Sequence, residues 1–555
     1  MAFNAILESL GGVGYFQILH TILLLIPVAL LGCHNLLQNF TGAVPSHHCR
    51  VPLSISLQYK INSTRDAGQE KLLRSFIPLD EHQKLEKCVQ YRRNKGWSFL
   101  RNATLEKVRG LSREPCKDGW IYDTNVFSST IVTEWNLVCS QRSWKQVAHS
   151  IYMTGVLIGA VVFGSLADKF GRMEILTWSY LQMGIAGCCA AFLPTFDAYC
   201  AFRFLCGVAS SAVSVNSISL ILEWMPNRGR TLAGNFFGFS YSVGQLLLAA
   251  IAYNIRNWRW LQFAVSAPFC VFFIYSWWLP ESARWLILRD RPHQAVENLR
   301  MAARFNGKLK EGKKINAEML CSEMQKEILE IRSSHSVLDL VRTPAMRRMS
   351  MCLLFVWLSS NFAYYGLSMD LQNFGLSVFL AQALFGGVEM AAKVIVMVSM
   401  TFVGRRVMQF WSLIFAGAMV ISYGFAPPNM RLLCTVLAVT GKAFLASSIT
   451  CMYLFTGELY PTEIRQTGMG FSAMNARLGS AIASLVHLTG DFSLSLFSMV
   501  FGVTPIVAGL FSCFLLETKD SPLRDTIHDV ERRYTNQSMD SDESEEDDDD
   551  EKNKV

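Results

Sequence analysis

The chain has 555 residues, of which 51% are hydrophobic and 17% are charged, and its mean hydropathy is +0.25. This composition excludes a disordered chain, a collagen and a small disulfide-stapled domain, and it carries too few charges for a soluble surface of this length. The net charge is +7, but residues 540–551 hold ten acidic residues, so residues 1–539 carry 49 Lys and Arg against 34 Asp and Glu. No basic stripe with interleaved aromatic residues marks a soluble domain, so nucleic acid is not an expected partner.

Apolar runs of about 20 residues, the length that crosses a bilayer, recur twelve times. The runs lie at 15–36, 146–166, 175–194, 199–222, 232–254, 261–279, 349–368, 377–402, 407–425, 432–456, 468–489 and 494–516. Because residues 1–14 contain no Lys or Arg, we expect the first run to be a retained anchor rather than a cleaved signal peptide. The sequence therefore predicts an all-α integral membrane protein with twelve transmembrane helices.

Basic residues in the short loops predict the orientation, since such loops keep Lys and Arg in the cytosol. The residues that follow even-numbered runs are Lys169, Arg172, Arg228, Arg230, Arg405, Arg406 and Arg465. Both termini are therefore expected in the cytosol. The expected organisation is a cytosolic N-terminus at 1–14, a six-helix bundle at 15–279 with an extracellular loop at 38–142, a cytosolic linker at 280–345, a second six-helix bundle at 346–516 and a cytosolic acidic tail at 517–555.

The loop at 38–142 has the features of an extracellular segment. It contains glycosylation sequons at Asn39, Asn62 and Asn102, of which Asn39 lies close to the membrane. Four cysteines in an oxidising compartment predict two disulfides, and their spacing leaves all three pairings open. These cysteines are Cys49, Cys88, Cys116 and Cys139.

Three short patterns return at nearly the same interval. The E-x-x-P-x-x-x-R pattern at 223–230 recurs at 458–465, the F/V-G-R pattern around Gly171 recurs around Gly404, and the segment around Glu281 recurs around Glu517. A repeat of about 235 residues with six spans returns the chain to the same side, so the two halves are expected to be parallel copies with a binding site between them. This architecture is typical of transporters, and the alternative is a receptor or channel with coincidental motifs.

The residues around these repeats resemble the major facilitator superfamily and, within it, the solute carrier 22 family. The segment 164–172 (GSLADKFGR) is similar to the superfamily loop motif, and 280–285 (PESARW) is similar to the motif after the sixth span. The start Met-Ala-Phe, the segment 34–41 and the segment 362–366 most resemble the organic anion transporter branch. Met173 and Leu516 depart from the motifs. Because both lie in the cytosolic gating motifs, the departures bear on the conformational rates that the resemblance implies and not on the expected substrate class.

Charged residues of these motifs are expected at the cytosolic helix ends, where they can pair with arginines or helix N-termini of the opposite half. The resemblance implies that they lock an outward-facing state, and the alternative is ordinary anchoring at the membrane surface. The set comprises Asp168, Arg172, Glu223, Arg230, Glu281, Arg284, Glu458, Arg465 and Glu517.

Charged residues inside predicted spans are candidates for a functional role, because inserting each one into the membrane costs about 2.5–3.5 kcal/mol on insertion scales. Lys393 is a candidate anion ligand, although it can instead pair with Glu389 on the same helix face. Lys442 is expected at the membrane interface. Arg477 has no carboxylate within one helical turn, and its planar guanidinium suits a carboxylate, sulfate or phosphate.

Aromatic residues complete the predicted substrate site, because ring faces bind flat apolar bodies and hydroxyl groups orient them. By the family resemblance, positions lining the central cavity are Tyr241, Trp357, Tyr364, Tyr365 and Tyr453, with Asn35 as a polar contact. With Lys393 and Arg477 they predict a site for an amphipathic organic anion.

The sequence contains no P-loop, metal-binding Cys/His spacing or nucleophile elbow, so we expect neither an enzyme nor a cofactor or metal. The resemblance implies a plasma-membrane transporter of small organic anions, exchanging them for an intracellular dicarboxylate such as 2-oxoglutarate by alternating access. The alternatives are a facilitative carrier of urate, a conjugated steroid or a zwitterion, and a membrane receptor or scaffold that senses a ligand without transporting it.

Overall fold

The structure is a computed structural model that describes residues 2–51, 73–74, 76–80, 84–92, 112–322, 338–369, 371, 376–427, 429–461, 464–487, 494–519 and 527–534. The predicted glycosylation sites Asn62 and Asn102 and the acidic tail from 535 onward lie outside these residues.

The first half of the chain forms one bundle of long helices. After a short helix α1 (Ala2–Ser9), the bundle contains α2 (Tyr15–Leu36), α5 (Trp144–Phe170), α6 (Arg172–Phe192), α7 (Phe196–Trp224), α8 (Asn227–Asn254) and the pair α9 (Trp258–Ser266) and α10 (Pro268–Ser276). Short helices α3 (Gln38–Thr41) and α4 (Ile131–Glu134) flank the long loop. The predicted sixth span is divided, because Pro268 has no backbone N–H to continue α9.

A linker and a second bundle follow. The linker contains α11 (Ala283–Leu288), α12 (Pro292–Phe305), α13 (Leu309–Lys314) and α14 (Asp339–Arg342). The second bundle contains α15 (Pro344–Met369), α16 (Val378–Phe402), α17 (Arg405–Phe425), α18 (Arg431–Leu459), α19 (Arg465–Val486) and α20 (Leu494–Ser512). Each of the twelve predicted spans therefore coincides with a helix or, for the sixth, with a helix pair.

Nine helical stretches of the described residues are long and apolar enough to cross a membrane. The segments that fall short are α9 with α10, α15 and α19. The first pair is interrupted by its proline. In contrast, α15 and α19 carry polar residues inside the bundle, such as Tyr364, which contacts Gln245 of the first half, and Arg477. Interior polarity, not exposure to water, lowers the hydropathy of these two helices.

The described parts of the long loop form two small antiparallel sheets closed by disulfides. Strand β1 (His47–Cys49) pairs with β4 (Trp120–Tyr122), and β2 (Val89–Tyr91) pairs with β3 (Arg113–Pro115). The structure joins Cys49 to Cys116 and Cys88 to Cys139, which is one of the three pairings the sequence left open.

The two ends of the bundle pack differently. We call the end that carries the long loop the loop face, and the end that carries the repeated motifs, α1, the linker and residues 527–534 the motif face. At the loop face, one apolar core joins both halves through residues such as Leu36, Phe40, Leu367 and Phe385. At the motif face, one core joins α1 and the linker up to Leu320 to the first half, and another joins α14 and residues 527–534 to the second. The described conformation is thus held together mainly at the loop face.

Candidate functional site

A line of polar side chains connects the two halves in the middle of the membrane region. The Tyr152 hydroxyl of α5 donates to the side-chain oxygen Oδ1 of Asn35 at 2.6 Å. The side-chain nitrogen Nδ2 of Asn35 lies 3.5 Å from the Tyr241 hydroxyl. Tyr241 of α8 then meets the hydroxyl of Tyr365 of α15 at 3.3 Å. Close approach of α2 and α8 brings Asn35 to Tyr241, because Gly32 and Gly244 leave room for backbone contact between these helices.

Arg477 of α19 lies on the second-half side of this line. Its guanidinium interacts electrostatically with the phenol groups of Tyr365 and Tyr453, and its side chain is half-buried. Within the part of the chain that the structure describes, neither a hydrogen bond nor an ion pair to a carboxylate engages Arg477. The fork of this arginine is therefore available to a ligand.

Lys393 differs from Arg477 because its charge is already paired. Its ammonium group lies 2.8 Å from the Glu389 carboxylate and donates to the Ser242 hydroxyl at 2.7 Å and to the Gly238 carbonyl at 2.8 Å. The pairing with Glu389, which the sequence offered as an alternative to a ligand role, is the arrangement found. Lys393 also ties α16 to α8, and hence one half to the other.

Lys442 is buried between helices, although the sequence predicted it at the membrane interface. It is 1% exposed, donates to Gln245 at 3.2 Å and lies over the rings of Tyr364 and Phe385 at 4.9 and 4.4 Å. The interfacial placement was wrong, because Lys442 is three turns inside α18, where aromatic faces stabilise its charge.

Two aromatic residues of the predicted substrate site are buried and bonded to other side chains. Tyr364 is buried and donates to Glu389 at 2.7 Å. Trp357 is 2% exposed, donates its indole N–H to Thr456 at 3.0 Å and packs edge-on against Tyr453. Both residues therefore support the site instead of facing an open cavity, whereas 52% of the Tyr453 side chain is accessible.

Sequence reasoning missed four polar partners of this region. Gln245 donates to both Tyr364 and Glu389, Ser242 donates to Glu389, Gln382 contacts Gln245, and Tyr152 holds Asn35. Their signal was a polar side chain inside an apolar run, which is too common to single them out. The buried cation Arg203 of α7 was also missed, although it lies inside the predicted span 199–222.

The charged motif residues of the first half bind one another. Arg172 lies 3.2 Å from both Asp168 and Glu223. Glu281 accepts hydrogen bonds from the backbone N–H groups of Met173 and Ser282 at 2.8 Å, so it caps the N-terminus of α6. Burial raises the pKa of the Glu281 carboxyl group, and these two backbone hydrogen bonds oppose the shift.

The second half repeats this arrangement. Arg405 lies 3.2 Å from Glu458, and Glu517 accepts from the backbone N–H groups of Arg405 and Arg406 at 2.8 and 3.0 Å. In both halves a motif arginine reaches back to the end of the preceding helix, Arg230 to the Met225 carbonyl and Arg465 to the Tyr460 carbonyl. Arg284 is half-buried at the start of α11. These contacts lie within each half, whereas the sequence predicted contacts between the halves.

Asn39 does not fit the predicted glycosylation. It lies half-buried in α3, and its amide nitrogen donates to the Ser368 carbonyl at 3.0 Å and to Gln382 at 3.4 Å. A glycan on this nitrogen would displace α15. Among the described residues, one group has the composition of a metal site, His47 with Cys88 and Cys139, but both sulfur atoms belong to the disulfide.

Comparison with known proteins identifies the family. Residues 98–528 match the family described as "Sugar (and other) transporter". The chain is 52% identical to solute carrier family 22 member 20 of Mus musculus over 96% of this chain and 94% of that protein. It is 48% identical to member 6-B of Xenopus laevis and to member 6 of Danio rerio, with 96% of this chain and 95% of each relative covered. The chain belongs to the solute carrier 22 family.

Solved structures support the same fold. The inward-open xylose transporter XylE from E. coli aligns with a TM-score of 0.59 over 91% of this chain and 98% of that chain, at 17% identity. The partially occluded inward-open form of XylE aligns with a TM-score of 0.58 over 92% of this chain and 100% of that chain, at 16% identity. The resemblance to this family and the predicted twelve-helix major facilitator fold are confirmed. As a solute carrier, the chain is a multi-pass membrane transporter and not an enzyme.

Proposed function

We propose that this solute carrier transports small amphipathic organic anions across the plasma membrane, with both termini in the cytosol. The observation that carries the proposal is the fork of Arg477, which no described residue pairs and which lies half-buried in the membrane region beside Tyr365 and Tyr453. A guanidinium there can hold a carboxylate through two hydrogen bonds, while the two rings contact the apolar body. Asn35 and Tyr241 supply polar contacts from the first half.

We further infer exchange with an intracellular dicarboxylate such as 2-oxoglutarate. The buried group of Lys393, Lys442 and Glu389 contains two lysines and one glutamate, which leaves one positive charge. Arg477 adds a second, and Tyr365 lies within electrostatic range of both Glu389 and Arg477. A dianion neutralises this pair of charges. A cationic site without a ligand is costly to move through the membrane, which favours reorientation of the loaded carrier.

The packing of the two ends supports alternating access. Because both halves contribute to the core at the loop face, whereas each core at the motif face belongs to one half, we assign this conformation as closed to the outside. We propose that the motif charges exchange their contacts within each half, such as Arg172 with Glu223, for contacts between the halves when the motif face closes.

The test is uptake of a labelled aryl carboxylate into vesicles with and without internal 2-oxoglutarate. Wild type is compared with Arg477→Ala, Lys393→Ala and, as a matched control, the exposed Arg431→Ala at the loop-face end of α18, all at equal protein levels. We expect internal dicarboxylate to stimulate uptake by wild type and by Arg431→Ala, and Arg477→Ala to abolish it.

Other outcomes identify the alternatives. If uptake depends neither on internal 2-oxoglutarate nor on Arg477, the protein is instead a facilitative carrier of urate, a conjugated steroid or a zwitterion. If the labelled anion binds but is neither taken up nor released from preloaded vesicles, the protein is instead a membrane receptor or scaffold. Either outcome overturns the exchange mechanism while the fold stands.

A further inference from the structure

Arg203 of α7 is a buried cation that the proposed transport site does not use. Its side chain is 0% exposed, and within the described residues none of its three guanidinium nitrogens has a hydrogen-bond partner. The face of the guanidinium lies 4.3 Å from the centre of the Tyr152 ring. This cation–π contact occupies the face and leaves the N–H edge, with its five donors, unsatisfied.

Two histidines with unpaired nitrogens accompany this arginine. His149 of α5 and His34 of α2 are fully buried and interact electrostatically with Arg203. Both ring nitrogens of His149 and the Nδ1 atom of His34 lack partners in the described part of the chain. Each imidazole can offer one N–H donor, and no described carboxylate contacts the arginine. This arrangement suits an anion, since an uncompensated buried charge is strongly destabilising.

The packing of α5 on α7 limits the size of that anion. A side chain at Gly155 or Gly159 of α5 would meet the backbone of α7 at Phe204 or Val208, and one at Gly207 would meet the Tyr152 carbonyl. The two backbones are therefore in direct contact beside Arg203. Backbones packed this closely leave little room for an organic body, whereas a monatomic anion is only somewhat larger than a water molecule.

We propose that Arg203, His149 and His34 bind a small inorganic anion of halide size inside the first half. This site is separate from the Arg477 site in the second half, and it does not depend on the proposed substrate. The anion supplies the counter-charge for Arg203, and the Arg203–Tyr152 contact connects it to Asn35, since Tyr152 donates to that residue. Occupancy of the site therefore fixes the first-half end of the polar line.

The experiment measures thermal unfolding of the purified full-length chain in lipid nanodiscs, without organic substrate, as chloride replaces gluconate at constant ionic strength. The wild-type midpoint is expected to rise with chloride and to saturate. Arg203→Gln should abolish this rise, and the control Arg431→Gln, at an exposed arginine of the loop face, should keep it.

A second variant covers the case in which Arg203→Gln does not fold. His149→Leu keeps the arginine but removes the imidazole donor, so the half-saturating chloride concentration should increase about tenfold, the effect of losing one charge-assisted hydrogen bond. Equal wild-type midpoints in chloride and gluconate would overturn the proposal. A chloride effect that persists in Arg203→Gln and disappears in Arg477→Gln would also overturn it, because the ion would then lie at Arg477.

Discussion

Replacing Glu389 by Gln tests the buried charge group between α8 and α16. Glu389 is 2% exposed and accepts from Ser242, Gln245, Tyr364 and Lys393 at 2.7–2.8 Å. The substitution leaves Lys393 and Lys442 without a carboxylate in this group. Removing one partner of a buried ion pair costs about 3–5 kcal/mol, so we expect the free energy of unfolding to fall by that amount.

Companion variants separate the ion pair from the loss of a hydrogen-bond acceptor. Lys393→Met should cost less, because Glu389 keeps three neutral donors and the nearby charge of Lys442. The double variant Glu389→Gln with Lys393→Met should recover part of the loss, since only Lys442 then stays unpaired. Glu174→Gln, at an exposed carboxylate of α6, serves as control and should have little effect.

The assay is denaturation of the four purified variants and the wild type under identical conditions. We expect the free energy of unfolding to be lowest for Glu389→Gln, higher for the double variant and for Lys393→Met, and close to the wild-type value for the control. If the two single substitutions add without coupling, or if Glu389→Gln is no worse than Lys393→Met, the carboxylate does not compensate the two lysines and the reasoning fails.

Three further predictions concern the loop and the motifs. Peptide mapping without reduction should recover Cys49–Cys116 and Cys88–Cys139, and replacing one disulfide by two serines should cost about 2–5 kcal/mol of stability, measured by thermal unfolding. Asn39→Gln should leave the glycosidase-sensitive mobility unchanged, because that amide bonds to α15, whereas Asn62→Gln and Asn102→Gln should each shift it. Arg172→Gln removes the cation whose Nη2 atom lies 3.2 Å from both Asp168 and Glu223, so turnover should fall roughly tenfold at unchanged KM in uptake assays; an altered KM would instead indicate an effect on substrate binding.

The sequence by itself determined the architecture. Apolar runs of membrane-spanning length located all twelve spans, because a bilayer requires one uninterrupted helix length at each crossing. The repeated motifs around Glu223 and Glu458 predicted two equivalent halves, and the structure gives them the same ion pairs, with Arg172 and Arg405. The intramembrane charge of Arg477 was recognisable for the same reason, since such a charge is rare without a role.

The tertiary structure alone decided which charges are neutralised. Lys393, Lys442 and Arg477 are all cations inside predicted spans. In the structure Lys393 pairs with Glu389, Lys442 lies between two rings, and no described residue pairs with the fork of Arg477. The partners that make this difference, such as Gln245, come from the other half of the chain, about 150–200 residues away. Helix spacing reports only neighbours one or two turns apart, so contacts between distant helices become known only when the two halves are packed together.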